Sequence, residues 1–133
     1  MIALDTNILA RFVMGDDPAQ MKAAQQLIDQ LSEDAPGFLG REVLIELVWL
    51  LGSVYRLPRK VIGDVIEGFL HASTLVVEAD EDVVMALDLY RTSQADFADL
   101  MIRAAAARAG CRALYSFDRK LARLDGVTLL EAT

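Results

Sequence analysis

The sequence predicts an α/β fold in which helices cover both faces of a short parallel sheet. Short apolar segments with strand character alternate with longer segments whose apolar residues recur at helical spacing, and this order is typical of βαβ crossovers. The chain has 133 residues, the usual size of one domain, so we expect residues 1–133 to form a single unit. Apolar residues make up 54% of the chain and the mean hydropathy is +0.32. This is more apolar surface than we expect one small core to hide, which favours a homo-oligomer or an obligate partner.

The first predicted elements are a strand over residues 2–5 and a helical turn over residues 7–12. Asp17 and Pro18 form an N-cap followed by proline at the first helical position, which predicts a helix over about residues 18–31. Its apolar residues recur at helical spacing: Met21, Ala24, Leu27, Ile28 and Leu31.

The middle of the chain predicts one strand and two helices. Gly37 to Gly40 reads as a short strand, and a helix over residues 41–55 follows, with an apolar face of Leu44, Leu47, Val48 and Leu51. Pro58 opens the next helix, whose apolar face is formed by Val61, Ile62, Val65, Ile66, Phe69 and Leu70.

The last part of the chain predicts two more helices and the remaining strands. Asp80 caps a helix that runs to about Arg91, and an alanine-rich helix over residues 96–109 ends at Gly110. A short basic helical turn follows Asp118. The predicted strands of this part span residues 74–77, 112–117 and 127–130.

Charge and composition exclude several classes of function. Thirteen basic against 20 acidic residues give a net charge of −7, which argues against nonspecific binding of nucleic acid through a wide positive surface. Any contact with nucleic acid must therefore be local or assisted by a basic partner protein. The apolar runs are too short for a membrane span and the N-terminus lacks a leader pattern, so we expect a cytoplasmic protein without membrane contact.

The single cysteine and the single histidine limit the possible chemistry. Cys111 alone cannot form an internal disulfide, and with only His71 no Cys/His zinc site can be assembled. We expect Cys111 to be a small buried thiol and His71 to lie at a helix end. Without a Ser/His/Asp arrangement, hydrolysis by this chain would depend on carboxylates and a metal ion.

Two acidic residues follow predicted strands. Asp5 and Asp118 each stand at the carboxyl end of a strand, where ligands bind in parallel α/β sheets. Either residue could instead cap the helix that follows it. Glu46 could be a solvated helix residue, and Asp96 with Asp99 could be an N-cap followed by an acidic N3 residue.

The acids are harder to explain as a set. Glu46 is flanked by Ile45, Leu47 and Val48, and Asp99 is flanked by Ala98, Leu100 and Met101. Several unpaired acids in such apolar segments would be costly to bury. A divalent cation would offset that cost, because hard oxygen ligands suit Mg²⁺ or Mn²⁺.

Four segments that contain these acids resemble the motifs of the PIN-domain nucleases, and most closely those of VapC-like toxins. Ile2–Leu9 (Ile-Ala-Leu-Asp-Thr-Asn-Ile-Leu) resembles the first motif, and Leu44–Leu51 (Leu-Ile-Glu-Leu-Val-Trp-Leu-Leu) resembles the second. Asp96–Ile102 (Asp-Phe-Ala-Asp-Leu-Met-Ile) is similar to the third, and Tyr115–Asp118 (Tyr-Ser-Phe-Asp) to the fourth. Ser116 departs from the threonine that is more frequent there, but it keeps the hydroxyl.

The resemblance implies a PIN-like three-layer α/β/α fold with a short central parallel sheet, and a Mg²⁺-dependent endoribonuclease that acts as a toxin. It implies that Asp5 and Asp99 are the principal Mg²⁺ ligands, with Mn²⁺ as a substitute. Glu46 and Asp118 would act mainly through bound water or a second ion. Residues that would orient these carboxylates are Thr6, Asn7, Asp96 and Ser116; ordinary turn and cap bonding is the alternative for each.

The resemblance also implies an RNA substrate, a VapB-like antitoxin as partner and a homodimer. Candidate contacts to RNA phosphates are Arg11, Arg41, Arg119, Lys120 and Arg123. Solvated surface charge is the alternative interpretation for each of these side chains.

Three other classes fit less well. A haloacid-dehalogenase type needs a second aspartate two positions after the first, and this position is Asn7. A phosphoacceptor receiver domain needs paired acids after its first strand and a late lysine that follows a strand, and neither pattern fits. An inactive PIN scaffold would lack one of the acids, whereas all four are present.

Overall fold

All paired strands in this computed structural model are short and parallel across residues 1–132, which are the residues that the structure describes. Contacts group the chain into two compact units, one over Met1–Asp80 and one from Glu81 onward. The predicted α/β class is confirmed. That the whole chain forms one domain stays a prediction.

The first unit contains three strands and four helices. They are β1 (Ile2–Ala3), α1 (Thr6–Met14), α2 (Pro18–Asp29), β2 (Gly37–Leu39), α3 (Arg41–Ser53), α4 (Arg59–His71) and β3 (Leu75–Val77). The strand order is β1-β2-β3, so β2 is central. In the register of this sheet, Phe38 pairs with Ala3 on one side and with Val76 on the other.

Close packing at the start of β2 requires a glycine. A Cβ atom on Gly37 would lie 2.9 Å from Leu31 Cδ1, 3.1 Å from Leu4 Cδ1 and 3.2 Å from Leu75 Cδ2. Side chains from three directions therefore occupy the space beside this residue. The sequence indicated a strand that starts here, and the packing explains why it starts with glycine.

The core of the first unit lies between the sheet and its helices. The residues at most 1% exposed are Leu9, Ala10, Leu39, Leu44, Leu47, Leu51, Ile62 and Ile66. The predicted N-cap of α2 is confirmed, because Asp17 Oδ1 accepts a hydrogen bond from the backbone N–H of Gln20 at 3.1 Å. His71 is the last residue of α4, as predicted.

The second unit begins within the first turn of α5 and contains one parallel strand pair. Its elements are α5 (Asp80–Thr92, beginning at the last residue of the first unit), α6 (Phe97–Arg108), β4 (Leu114–Ser116), a 3₁₀ turn (Leu121–Arg123) and β5 (Val127–Leu129). Leu114 pairs with Val127. The rings of Tyr90 and Phe97 meet edge to face with centroids 5.9 Å apart.

An ion pair between a buried aspartate and an exposed arginine links α5 to α6 within the second unit. Asp82 is 3% exposed, and its two carboxylate oxygens accept hydrogen bonds from Arg108 Nε at 3.2 and 3.1 Å. This carboxylate raises the pKa of Arg108 above its usual value. The sequence did not single out either residue.

The predicted burial of Cys111 is wrong, because its side chain is exposed. Gly110 has a φ of +82°, a left-handed conformation that ends α6 as predicted. The chain turns away from the apolar face of the helix at this glycine, and Cys111 lies in the turn that follows. Among the described helices, none has the length and apolarity needed to cross a membrane.

Candidate active site

The acids predicted to form one site divide between the two units. Asp5 and Glu46 belong to the first unit, and Asp96, Asp99 and Asp118 belong to the second. The two groups have different surroundings, and these decide what each carboxylate is able to do.

Asp5 lies just beyond β1 and caps α1 through its backbone. Its carbonyl oxygen accepts hydrogen bonds from the N–H groups of Ile8 at 3.1 Å and Leu9 at 3.4 Å. Its exposed carboxylate makes no cap hydrogen bond. Thr6, next to it, is buried, and Asn7 is exposed. The carboxylate of Asp5 is therefore not used by the helix that follows, which removes the alternative interpretation of this side chain.

Glu46 lies on α3, one helical turn after Glu42, and is exposed. Its neighbours Leu47 and Val48 point into the core. The predicted cost of burying an acid in this apolar segment therefore does not arise for Glu46. The helix turns its apolar residues inward and leaves the carboxylate in solvent.

Asp99 lies in the first turn of α6 and is only partly exposed. Burial raises the pKa of Asp99, and the negative charges of Asp96 and Asp118 raise it further. The structure therefore brings these three acids close enough to interact electrostatically. Asp96 is the N-cap residue of α6 and Asp99 is its acidic N3 residue, as the alternative interpretation has it, but the Asp96 side chain makes no cap hydrogen bond.

Asp118 is held in a tight turn after β4. The Oγ atom of Ser116 accepts a hydrogen bond from the backbone N–H of Asp118 at 3.0 Å. Oδ1 of Asp118 in turn accepts hydrogen bonds from the N–H groups of Lys120 at 2.8 Å and Leu121 at 3.1 Å. The capping interpretation of Asp118 is thus confirmed, and the same bonds fix the direction of its carboxylate.

Two of these acids line a groove of about 400 Å³ in the second unit. Its lining residues are Gln94, Asp96, Phe117, Asp118, Arg119 and Lys120. Sequence analysis did not single out Gln94 or Phe117 for a role at the site. Phe117 stands inside the fourth motif, directly before its acid, and this position was the available signal.

The predicted phosphate contacts differ in their surroundings. Arg119, Lys120 and Arg123 are exposed, and the first two line the groove. Arg11 is held within the first unit: its Nε donates to Gln20 Oε1 at 2.7 Å, and its Nη1 donates to the Tyr55 hydroxyl at 2.9 Å.

Two acids complete the surroundings of Arg11 and Arg41. Nη1 of Arg11 lies 3.3 Å from Oδ1 of Asp16. The other oxygen of this carboxylate, Oδ2, accepts a hydrogen bond from the Tyr55 hydroxyl at 2.7 Å. These bonds give Arg11 a structural role in joining α1 to the segment that follows α3.

The backbone N–H of Arg41 donates to Glu78 Oε1 at 2.8 Å, so a carboxylate from beyond β3 caps α3.

The acids fit a hard divalent cation in the chemistry of their donor atoms. Burial and the charges of two other carboxylates, Asp96 and Asp118, raise the pKa of Asp99, and a cation beside them would relieve that repulsion. Within residues 1–132, no group of three or more Asp, Glu, His or Cys side chains is arranged so that it could hold a metal ion by itself. Mg²⁺ needs only one or two protein carboxylates and keeps several waters, so the donor set still suits it.

Comparison with known proteins defines the class of this chain. The PIN domain family model matches residues 2–127. The chain belongs to the PIN domain family, and the PIN-like α/β/α fold predicted from the four motifs is confirmed.

One curated relative is similar over nearly the whole length of both chains. The VapC ribonuclease of Aquifex aeolicus (strain VF5) is 30% identical over 130 residues, which cover 97% of this chain and 96% of the relative. The predicted resemblance to VapC-like PIN nucleases is thereby confirmed.

Proposed function

We propose that this protein is a Mg²⁺-dependent endoribonuclease and the toxin component of a toxin–antitoxin module, with Mn²⁺ as a substitute ion. The observation that carries the proposal is the electrostatic interaction of Asp96 and Asp118 with Asp99. Asp96 and Asp118 also line one groove together with the exposed cations Arg119 and Lys120. The likeness to a VapC ribonuclease across 97% of the chain supports this choice of substrate and reaction.

The four motifs suggest a role for each acid. Asp5 and Asp99 would hold the cation, and Glu46 and Asp118 would act through water or a second ion. The cation, when bound, supplies Lewis acidity that lowers the pKa of a water and offsets charge on the phosphate. Support comes from the order of the four motifs and from Asp99, whose raised pKa shows that its carboxylate lies in partly buried, negatively charged surroundings.

The side chains would divide the work of hydrolysis. Arg119 and Lys120 bind the phosphate group through charge and hydrogen bonds, which orients the phosphorus for attack. Ser116 holds the backbone of Asp118 so that its carboxylate accepts the proton lost by the attacking water. The new bond joins the water oxygen to phosphorus while the bond to the 3′ oxygen breaks. The products are therefore a 5′-phosphate and a 3′-hydroxyl.

The proposal includes partners and location. The apolar composition leaves several large side chains in solvent, among them Trp49 (62% exposed), Val54 (56%) and Ile102 (52%). Such side chains favour further association, and we propose a cytoplasmic homodimer neutralised by a VapB-like antitoxin. A basic segment of the antitoxin would complement the acidic site, since the chain carries a net charge of −7.

The enzymatic proposal is tested by incubating the purified protein with total cellular RNA. We expect discrete cleavage products with Mg²⁺, no cleavage in EDTA, and recovery of cleavage on addition of Mn²⁺. Asp99→Asn should abolish cleavage. Asp88 is an exposed aspartate on α5, and the Asp88→Asn variant should cleave RNA as the wild type does. Equal cleavage by wild type and Asp99→Asn, or cleavage that persists in EDTA, would contradict the proposal.

The toxin role is tested separately by expression in cells. Expression of the chain alone should arrest growth, and co-expression of the small protein encoded beside it should restore growth. If cells grow normally while they contain high levels of soluble protein that cleaves RNA, the protein is a nuclease but not a toxin.

A further inference from the structure

We infer that the groove in the second unit is a nucleobase subsite in which the ring of Phe117 stacks on one base of single-stranded RNA. The inference rests on the proposed ribonuclease function and adds a contact that selects single-stranded substrate. It involves the six residues that line the groove, and Phe117 is the only apolar side chain among them.

Phe117 presents an exposed aromatic ring on a hydrogen-bonded stretch of backbone. Phe117 is 67% exposed, although phenylalanine side chains are usually buried in the core of a domain. The residues on both sides of it are held, because Ser116 accepts the N–H of Asp118 and its carbonyl accepts the N–H of Leu130 at 2.8 Å. The ring is therefore available to a ligand, and little backbone order has to be gained when the ligand binds.

The charges that line the groove suit a neutral planar ligand with a phosphate beside it. Asp96 and Asp118 contribute two negative charges, and Arg119 and Lys120 contribute two positive ones. Neither cation forms an ion pair with any of residues 1–132. If a base stacks on the ring of Phe117, both cations are available to bind the phosphate groups that flank this base.

The size and polarity of the groove agree with a base. About 400 Å³ lies within the roughly 300–1,000 Å³ of small-ligand pockets. The exposed Gln94 adds an amide that is able to donate and accept hydrogen bonds at a base edge. A protein partner could also contact Phe117, but two unpaired cations next to an aromatic ring favour a nucleic acid.

Stacking can be measured with a short single-stranded RNA that carries 2-aminopurine, whose fluorescence is quenched when it stacks. The wild type in EDTA, which prevents cleavage, should bind the oligonucleotide and quench the fluorophore. Phe117→Ala should weaken binding roughly 5- to 150-fold and abolish the quenching, since stacking contributes about 1–3 kcal/mol per base. Phe117→Tyr should retain both signals. In Mg²⁺, Phe117→Ala should raise KM for the RNA more than it lowers kcat.

Tyr115→Ala is the matched control. Tyr115 is 58% exposed on β4 but does not line the groove, so its removal should leave binding and quenching unchanged. Both variants remove an exposed ring, so thermal melts should show similar, folded proteins.

Three outcomes would overturn the inference. If Phe117→Ala binds and quenches as the wild type does while the wild type cleaves RNA, the subsite is wrong and the ribonuclease proposal stands. If Phe117→Ala loses affinity for the co-encoded small protein but not for RNA, the ring is a protein contact. If the wild type neither binds nor cleaves RNA, the subsite and the proposed function both fail.

Discussion

The Oγ atom of Ser116 accepts a hydrogen bond from the backbone N–H of Asp118 at 3.0 Å. This bond joins the residues immediately before and after Phe117. It begins the turn in which Asp118 Oδ1 accepts two further backbone hydrogen bonds. A hydroxyl at residue 116 is therefore needed to orient an acid two residues later.

Ser116→Ala should lower the rate of RNA cleavage by roughly 10- to 100-fold, the usual cost of removing a residue that orients a metal-site carboxylate. Ser116→Thr keeps the hydroxyl and should retain activity. The measurement is the rate of RNA cleavage at several Mg²⁺ concentrations. Equal rates in the alanine and threonine variants would show that the hydroxyl has no positioning role.

Glu42 and Glu46 test the register of the second motif. Both are exposed on α3 and lie four residues apart, so they point to the same side of the helix. We expect Glu46→Gln to reduce RNA cleavage much more than Glu42→Gln, because Glu46 occupies the acidic position of the motif. Cleavage rates at saturating Mg²⁺ distinguish them, and a larger loss in Glu42→Gln would place the motif one turn earlier.

Tyr55 and Asp16 predict a pH-dependent stability. The hydrogen bond from the Tyr55 hydroxyl lowers the pKa of Asp16 below 3.8, and the charge of Arg11 acts in the same direction. A lowered folded-state pKa stabilises the fold above the unfolded pKa, and this contribution is lost as the pH falls through the folded pKa. The melting temperature of Tyr55→Phe should thus lie below that of the wild type at about pH 7, and the gap should narrow towards about pH 2.

Asp16→Asn is the control for this effect. When residue 16 is asparagine, the difference in melting temperature between the proteins with tyrosine and with phenylalanine at residue 55 should vary little with pH. A gap between Tyr55→Phe and wild type that stays constant from neutral to acidic pH would contradict the role of Asp16.

Local signals in the sequence predicted most of the fold. Asp17 before Pro18, the positive φ of Gly110 and the strand that begins at Gly37 all follow from short-range preferences, and the structure confirms each of them. These features need no knowledge of distant residues. The observed strands are shorter than predicted, because only residues 114–116 of the predicted strand over 112–117 pair with a neighbour.

The errors and omissions depend on distant contacts. Arg11 is bonded to Tyr55, 44 residues later, and sequence spacing does not reveal such a bond. Its contact with phosphate stays a prediction. Asp82 is buried because Arg108, 26 residues away, neutralises it. Cys111 is exposed because the chain turns at Gly110, which moves a normally buried residue type into solvent.

The candidate site was predictable as a set of acids but not in its electrostatics. The motifs predicted that Asp99 and Asp118 belong to one site, but they did not reveal that burial of Asp99, together with the charges of Asp96 and Asp118, raises its pKa. Glu46 was assigned a burial cost that its exposed position removes. The environment of each carboxylate depends on which face of its helix meets the core, and the packing decides this.

The central claim is that the acids around Asp99 form a cation site, and thermal unfolding tests it without a substrate. A raised pKa means that the charged carboxylate destabilises the fold above that pKa, so the metal-free wild type bears this cost at neutral pH. A cation bound to the folded state alone, at about 100 times its dissociation constant, would add about 2.7 kcal/mol of stability. For a domain of this size the melting temperature should rise by roughly 8–15 °C.

The decisive measurement is a set of melts of wild type, Asp99→Asn and the control Asp88→Asn, each in EDTA and in a Mn²⁺ titration. The account predicts that Asp99→Asn melts above the wild type in EDTA, because one repulsive charge is gone, and gains little from Mn²⁺, because a ligand is gone. Asp88→Asn should follow the wild type in both conditions. Equal stabilisation of wild type and Asp99→Asn by Mn²⁺ would contradict the account and leave Asp99 without a role in binding metal.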